Sequence, residues 1–209
     1  MRVIYIKYIK RSFDVCFSLF VFILSAPVLF SALILLIISN RSTKVLFFQL
    51  RPGLNERVFR LVKIKTMNDK VDSNGKLLSD EARTTILGKI LRKYSIDELP
   101  QLWNVIKGDM SLIGPRPLLV EYLSHYTQEQ KRRHEVKPGI TGWAQIHGRN
   151  NLPFVERFKL DVWYVNNISF KLDILIFLKT ILKIFKSENV LSQDPNKITD
   201  PNYRSQQDG

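Results

Sequence analysis

Cysteine is almost missing from this chain: Cys16 stands alone among 209 residues. No intramolecular disulfide can form, which fits a reducing compartment. Histidine is scarce too. His125, His134 and His147 show no zinc-ligand spacing with cysteine or with one another, so no structural zinc is expected. Acidic residues are short in supply. Against 32 Lys and Arg stand 19 Asp and Glu, a formal net charge of +13. Such a surplus calls for anionic partners: nucleic acid, anionic lipid headgroups or phosphorylated substrates. No internal repeat or low-complexity tract is present, which argues against a solenoid or a linker-rich chain. The length suffices for one domain with a hydrophobic core, plus an appendage.

Charge is absent from the 25 residues Val15 to Ser39. A bilayer core needs about 20 apolar residues as a helix, so this run can reach across. It is too long for a signal peptide, and no A-x-A cleavage site follows it. Pro27 interrupts it in the middle. A proline removes one helix hydrogen bond and clashes with the preceding turn, so a kink is expected, with Ser25 able to bond carbonyls freed there. Lys7, Lys10 and Arg11 precede the run, and Arg41 and Lys44 follow it. Positive residues prefer the cytoplasmic side, so both ends favour one side. A re-entrant helix bent at Pro27 is preferred, with one straight span as the alternative. Asp14 sits at the mouth of the segment beside Lys10 and Arg11, where pairing would offset the cost of a boundary carboxylate.

Residues 44–51 and 58–65 read as two short strands, joined by a turn containing Pro52, Gly53 and Asn55. Lys63 and Lys65 share one face of the second strand, and spacing alone favours a solvated face. Residues 68–79 read as a loop around Asn74-Gly75. Residues 80–93, 118–135 and 153–166 read as helices. Leu99, Leu102, Trp103 and Ile106 follow helical spacing, with Gly108 as a C-terminal cap. In 172–186, Lys179, Lys183 and Lys186 make a basic stripe on a helix rich in Ile, Leu and Phe. That pattern suits a membrane-surface helix or one covering the core. The tail after Glu188 is polar.

Three places could carry chemistry. Ser95-x-x-Glu98 has the form of a capping box. Pro100 would then need an N–H it lacks. With Asp97 as the cap, Pro100 falls in the first turn, where the missing donor costs little. Asp97 is therefore placed at a helix N-terminus, an end that attracts phosphates and holds a carboxylate's pKa low. Arg92 precedes it by five residues. Arg116 is flanked by Pro115 and Pro117, and its planar fork suits phosphate. The stretch Lys137-Pro138-Gly139-Ile140-Thr141-Gly142-Trp143 is a stiff loop whose glycines allow close backbone approach to a ligand, and Arg149 follows it.

The motifs run in a set order. They are Lys10-Arg11-x-x-Asp14, Arg51-Pro52-Gly53, Lys63-Ile64-Lys65-Thr66-Met67 and Asp97-Glu98-Leu99-Pro100-Gln101-Leu102. Then come Lys107-Gly108-Asp109-Met110-Ser111, Gly114-Pro115-Arg116-Pro117 and Pro138-Gly139-Ile140-Thr141-Gly142-Trp143. In this order, over roughly residues 7–185, the chain resembles the monotopic phosphoglycosyl transferases, the bacterial initiating sugar transferases. Its short length is most similar to members that move N,N'-diacetylbacillosamine phosphate in protein N-glycosylation. One departure is the residue before Pro27, usually Ser in the family and here Ala26, with Ser25 one position earlier.

The resemblance implies transfer of a sugar 1-phosphate from a UDP-sugar to undecaprenyl phosphate, with UMP released. Asp97 would form a covalent phosphosugar intermediate, Mg2+ would be held in part by Asp97, and Glu98 would position the metal or assist proton transfer. Lys63, Arg92 and Arg116 match phosphate-contacting positions, and Arg149 is a nucleotide-sugar contact in this reading. The implied setting is the cytoplasmic face of the bacterial inner membrane, among phospholipids and downstream glycosyltransferases. Other UDP-sugars, and capsule or O-antigen as product, stay open.

The expected fold is a mixed α/β, mostly helical domain with a short β-hairpin and interfacial amphipathic helices. The division is residues 1–43 in the membrane, 44–188 catalytic and 189–209 a polar tail. The competing reading is a non-catalytic basic module on a membrane surface or on nucleic acid. Nucleic-acid binders interleave aromatics with a basic face. Here basic residues recur beside Pro and Gly turns, so no nucleic acid is expected.

Overall fold

The computed structural model describes residues 2–40, 42–148 and 152–186. The expected polar tail lies outside them. A short helical lead-in, Arg2–Ile4, and a π-helical turn, Tyr5–Ile9, run into a 31-residue helix α1, Lys10–Asn40. It is apolar and long enough to cross a membrane. Helix α1 continues through Pro27 rather than ending there. A single proline costs one hydrogen bond, and the turns on either side keep theirs. The Ser25 hydroxyl donates to the Phe22 carbonyl at 3.2 Å, one residue before Ile23, whose carbonyl Pro27 leaves without its usual donor.

Both halves of α1 bury a stripe against the same body. Phe17, Val21 and Phe22 pack on the main core, which includes Val105, Met110, Leu112, Tyr164, Val165 and Ile176. Beyond Pro27, Leu29, Ala32 and Leu36 pack with Val45, Ile64 and Leu91. The opposite side of the helix exposes Phe20, Ile23, Leu24, Phe30, Leu35 and Ile38. A face that apolar needs lipid or a partner to cover it.

Polar ties lock the start of α1 to the domain. Asp14 does not hydrogen-bond Lys10 or Arg11 as expected. It accepts from Ser111 Oγ at 2.7 Å and from the Leu112 backbone N–H at 3.1 Å. Lys10 instead pairs with Asp173 at 2.7 Å. Arg11 donates to the carbonyls of Val105 and Ile106 at 2.6 and 2.9 Å. The pairing need was read correctly, but its partners lie about 90 or more positions away and leave no mark on local spacing.

Strands β1 (Leu46–Pro52) and β2 (Val58–Ile64) form the expected antiparallel hairpin, with Phe47 opposite Lys63 and Arg51 opposite Phe59. Asn55 adopts φ 52° in the turn, a conformation Asn tolerates. Period-two alternation sends Phe59 and Leu61 inward, and Lys63 with them.

The expected helix over 80–93 is two: α2 (Asp80–Arg83) and α3 (Ile86–Lys93). Thr84 is extended, and the Thr85 side chain caps α3 by accepting from the Gly88 N–H at 2.9 Å. After α4 (Gln101–Lys107), Gly108 closes the helix at φ 104°, as expected. A short strand β3 (Ser111–Ile113) follows.

The stretch 118–135 is not one helix. It is a 3-10 turn (Val120–His125), a short helix α5 (Gln128–Lys131) and a second 3-10 turn (Arg132–Glu135). A capping box between Thr127 and Gln130 starts α5 afresh. Strand β4 (Gly139–Thr141) lies parallel to β3, with Ser111 opposite Gly139 and Ile113 opposite Thr141. Helices α6 (Trp143–His147), α7 (Phe154–Asn167) and α8 (Phe170–Lys186) complete the domain.

The glycines of the 137–143 stretch serve backbone packing rather than a ligand. A Cβ on Gly139 would lie 2.1 Å from the Gly114 nitrogen, and one on Gly142 would lie 2.2 Å from the Gly114 carbonyl oxygen. Only glycine lets these two backbones come so close.

Candidate active site

Asp97 and Glu98 sit in a 3-10 turn, Ile96–Glu98, squeezed between α3 and α4. Ser95 enters it in the left-handed conformation, φ 56°, without a side-chain cap. Helix α4 begins only at Gln101, after Pro100. Neither expected cap exists, because the 3-10 turn occupies the residues that a cap would use. Asp97 is thus one turn short of the helix end, and the helix dipole does not set its ionisation.

Burial does. Asp97 is 8% exposed, and its pKa is pushed up to about 6, first by burial and then by the neighbouring Glu98 charge. The expected low pKa is overturned. Lys63, Arg92 and Arg116 pull the other way without overcoming burial. Among the described residues, no hydrogen bond or ion pair forms to the Asp97 carboxylate.

Glu98 has the opposite environment. Its Oε1 accepts from Lys63 Nζ at 2.8 Å and from Arg116 Nη2 at 2.9 Å. Burial alone would raise its pKa, but these two cations hold it far below the usual carboxylate range. The same charge on Glu98 raises the Arg116 pKa. Adjacent carboxyls with divergent ionisation are the pattern expected of a candidate functional centre. Glu98 is held between two cations, while Asp97 is a buried carboxyl.

These residues line one cleft of about 1400 Å3. Arg92 lines it too, with its Nε donating to Thr66 Oγ1 at 2.8 Å. The sequence-predicted Lys63, Arg92, Asp97, Glu98 and Arg116 are all brought together. Arg149 lies outside the described residues. Lys63 is no solvated strand residue, and Lys65 parts from it to pair with Asp69. Among the described residues, nine basic side chains line the cleft against five acidic ones, so it favours an anionic ligand. At another part of the wall stand Val21 of α1 with Val45, Leu46 and Phe47.

Sequence reasoning missed two contributors. Arg51 lines the cleft beside Arg116, and its pKa is lowered to about 10 by burial and then by the Arg116 charge. Its signal was the Arg51-Pro52-Gly53 turn. Arg133 and Asp161 form an ion pair at 2.7 Å, buried behind the loop that carries Arg116. Their 28-residue separation gives no signal in the sequence.

The cleft sets a buried carboxyl beside an anion–cation cluster and reaches the apolar helix at Val21, an arrangement suited to an anionic ligand. The family model described as "Bacterial sugar transferase" matches residues 5–187, and the chain belongs to that family, the initiating sugar transferases. It is 50% identical over 191 residues to the "Uncharacterized sugar transferase EpsL" of Bacillus subtilis, covering 91% of this chain and 93% of that protein. It is 38% identical over 185 residues to the Aeromonas hydrophila "UDP-N-acetylgalactosamine-undecaprenyl-phosphate N-acetylgalactosaminephosphotransferase", covering 85% of this chain and 44% of that one. It is 32% identical over 200 residues to the "Undecaprenyl-phosphate galactose phosphotransferase" of Salmonella typhimurium, covering 87% and 41%. The chain therefore spans nearly all of EpsL but under half of the other two.

Proposed function

We propose that this chain transfers a sugar 1-phosphate from a UDP-sugar to undecaprenyl phosphate, releasing UMP. The observation that carries this reading is the single cleft joining Asp97, Glu98 and the Lys63–Arg92–Arg116 cluster to Val21 of the apolar helix. A diphosphate donor needs the cations, and a lipid-tailed acceptor needs the helix.

In the first step an Asp97 oxygen attacks the β-phosphorus. The bond from that phosphorus to the bridging oxygen breaks, and UMP leaves with the electron pair. In the second step an oxygen of undecaprenyl phosphate attacks the same phosphorus, and the Asp97 carboxylate leaves. Undecaprenyl diphosphate sugar results, and the enzyme returns to its starting state. The absence of a hydrogen bond to the Asp97 carboxylate among the described residues supports the nucleophile assignment. Glu98 keeps Lys63 and Arg116 fixed where phosphate charge develops, the kind of preorganisation on which phosphoryl transfer depends.

A divalent cation suits this arrangement. The described residues hold no cluster of three or more His, Cys, Asp or Glu, but Mg2+ commonly rests on one or two carboxylates plus substrate phosphates. Asp97, with the second oxygen of Glu98, would hold it. Bound there, it would offset diphosphate charge as a Lewis acid.

The relatives' names include N-acetylgalactosamine and galactose, so the donor sugar is a UDP-linked hexose or N-acetylhexosamine, with N,N'-diacetylbacillosamine as the diacetylated variant to test beside them. Incubation of detergent-solubilised chain with Mg2+, undecaprenyl phosphate and each radiolabelled UDP-sugar tests the reaction. Lipid-linked radioactivity is expected with at least one donor, and none with any donor overturns the reading.

Helix α1 is proposed to be re-entrant at the cytoplasmic face of the inner membrane. Burial of both its halves on one domain supports this, since a straight span would carry one half away. In a Cys16→Ser background, Val3→Cys and Ser205→Cys should label from the same side. Labelling from opposite sides would establish a spanning helix.

A further inference from the structure

The Gly114–Pro117 segment has no regular structure: β3 ends at Ile113, and the next turn begins at Val120. Pro115 and Pro117 have no N–H to donate. The Gly114 N–H donates to the Thr141 carbonyl at 2.9 Å, and beyond it the loop is held by its acceptors. The Gly139 N–H donates to the Pro115 carbonyl at 3.0 Å. Arg133 Nη2 donates to the Arg116 carbonyl at 2.7 Å. Arg51 Nη1 donates to the Pro117 carbonyl at 3.3 Å. Three successive carbonyls are thus each gripped from a different element.

Arg133 is itself immobilised. It is 2% exposed. Its Nε and Nη2 reach Asp161 Oδ2 at 3.1 and 2.7 Å, and its Nη1 donates to the Tyr126 hydroxyl at 3.1 Å. The guanidinium lies over the Phe158 ring. A buried ion pair is often no more stable than a well-packed apolar pair, so stability does not account for its presence. A charge-assisted donor aimed at the carbonyl of Arg116 does.

We propose that Arg133, fixed by Asp161, and Arg51 are positioning residues that clamp the Gly114–Pro117 backbone so that the Arg116 guanidinium stays on Glu98. This rests on the reading of Asp97 and Glu98 as the transfer centre. A shift of about 1 Å at a reacting geometry can cost on the order of 100-fold in rate. With Arg116 displaced, Glu98 loses one of the two cations that hold it among the described residues.

The test uses Arg133→Met with Asp161→Leu, which removes both partners of the ion pair together, and Arg133→Lys, which keeps a charge but lacks the fork. Both are assayed in the full chain for kcat, KM and thermal unfolding. The clamp predicts folded proteins whose kcat falls about 10- to 100-fold with KM little changed. Arg116→Met should show a fall in kcat of the same kind. Adding the Arg133→Met/Asp161→Leu pair to it should cost little more, because coupled residues are not additive. The exposed neighbour variant Arg132→Met should stay within about twofold, as surface changes do. Additive losses, or a folded pair variant within twofold of the unaltered rate, overturn the inference. Amide exchange of residues 114–119, read by mass spectrometry, tests the clamp without turnover. Faster exchange in the variants supports it. Unchanged exchange refutes it, even if the unaltered chain transfers no sugar.

Discussion

Lys63 and Arg116 converge on one oxygen of Glu98, at 2.8 and 2.9 Å, while Asp97 next door takes no such bond among the described residues. Neighbouring carboxyls thus divide two jobs. One holds cations in place, and the other takes no hydrogen bond from any described residue.

Asp97→Asn should abolish lipid-linked product while leaving the chain folded. It should also stabilise it. A carboxyl with a pKa raised to about 6 in the fold favours folding while neutral, and that advantage is lost as pH rises from its ordinary value of about 3.9 through 6. Above that window the ionised group costs about 3 kcal/mol at most, from a shift of about two units. Thermal unfolding at pH 7.5 should show a higher midpoint for the variant, and a lower one would contradict the assignment of burial as the cause.

Attack by Asp97 requires the ionised form. The kcat/KM for the donor should therefore rise through about pH 6 on the acid side. An acid limb of kcat/KM centred near pH 4 would remove Asp97 from the nucleophile role.

Glu98→Gln should cut kcat by about 100- to 1000-fold, the range for loss of a preorganising charge. It should also move the acid limb downward, because the Glu98 charge raises the Asp97 pKa. Loss of rate with an upward shift would mean that Glu98 takes part in proton transfer instead.

Asp14→Ala should destabilise the chain by about 2–4 kcal/mol, since Ser111 Oγ and the Leu112 N–H lose their buried acceptor. Chemical denaturation in detergent would show it, and a loss below about 0.5 kcal/mol would show that these bonds contribute little.

Local periodicity made much of this fold readable. The hairpin, α7 and α8 follow from alternation and helical spacing, and Gly108 marks its helix end. The failures share a cause. The Ile96–Glu98 turn is a single 3-10 turn entered through a left-handed Ser95, too short to leave a period. Residues 118–135 hide a new start at Thr127 within what reads as one run. The site was legible in motif order, which placed Asp97, Glu98, Lys63, Arg92 and Arg116 together. It was not legible in electrostatics, because burial of Asp97 depends on elements brought in from α3, β2 and the Arg116 loop. The Arg133–Asp161 pair was invisible for the same reason.

Helix α1 contributes Phe17, Val21 and Phe22 to the main core and an acceptor, Asp14, to β3. It cannot be treated as a removable anchor. A shortened version starting after residue 43 would expose the underside of that core, take the Tyr5 and Lys10 donors from Asp173, the Asp14 acceptor from Ser111 and Leu112, and the Arg11 guanidinium from the Val105 and Ile106 carbonyls. Efforts to obtain a water-soluble catalytic fragment by trimming should yield aggregates. The productive route is to keep the hydrophobic helix and engineer its outward face, where Phe20, Leu24 and Ile38 are exposed.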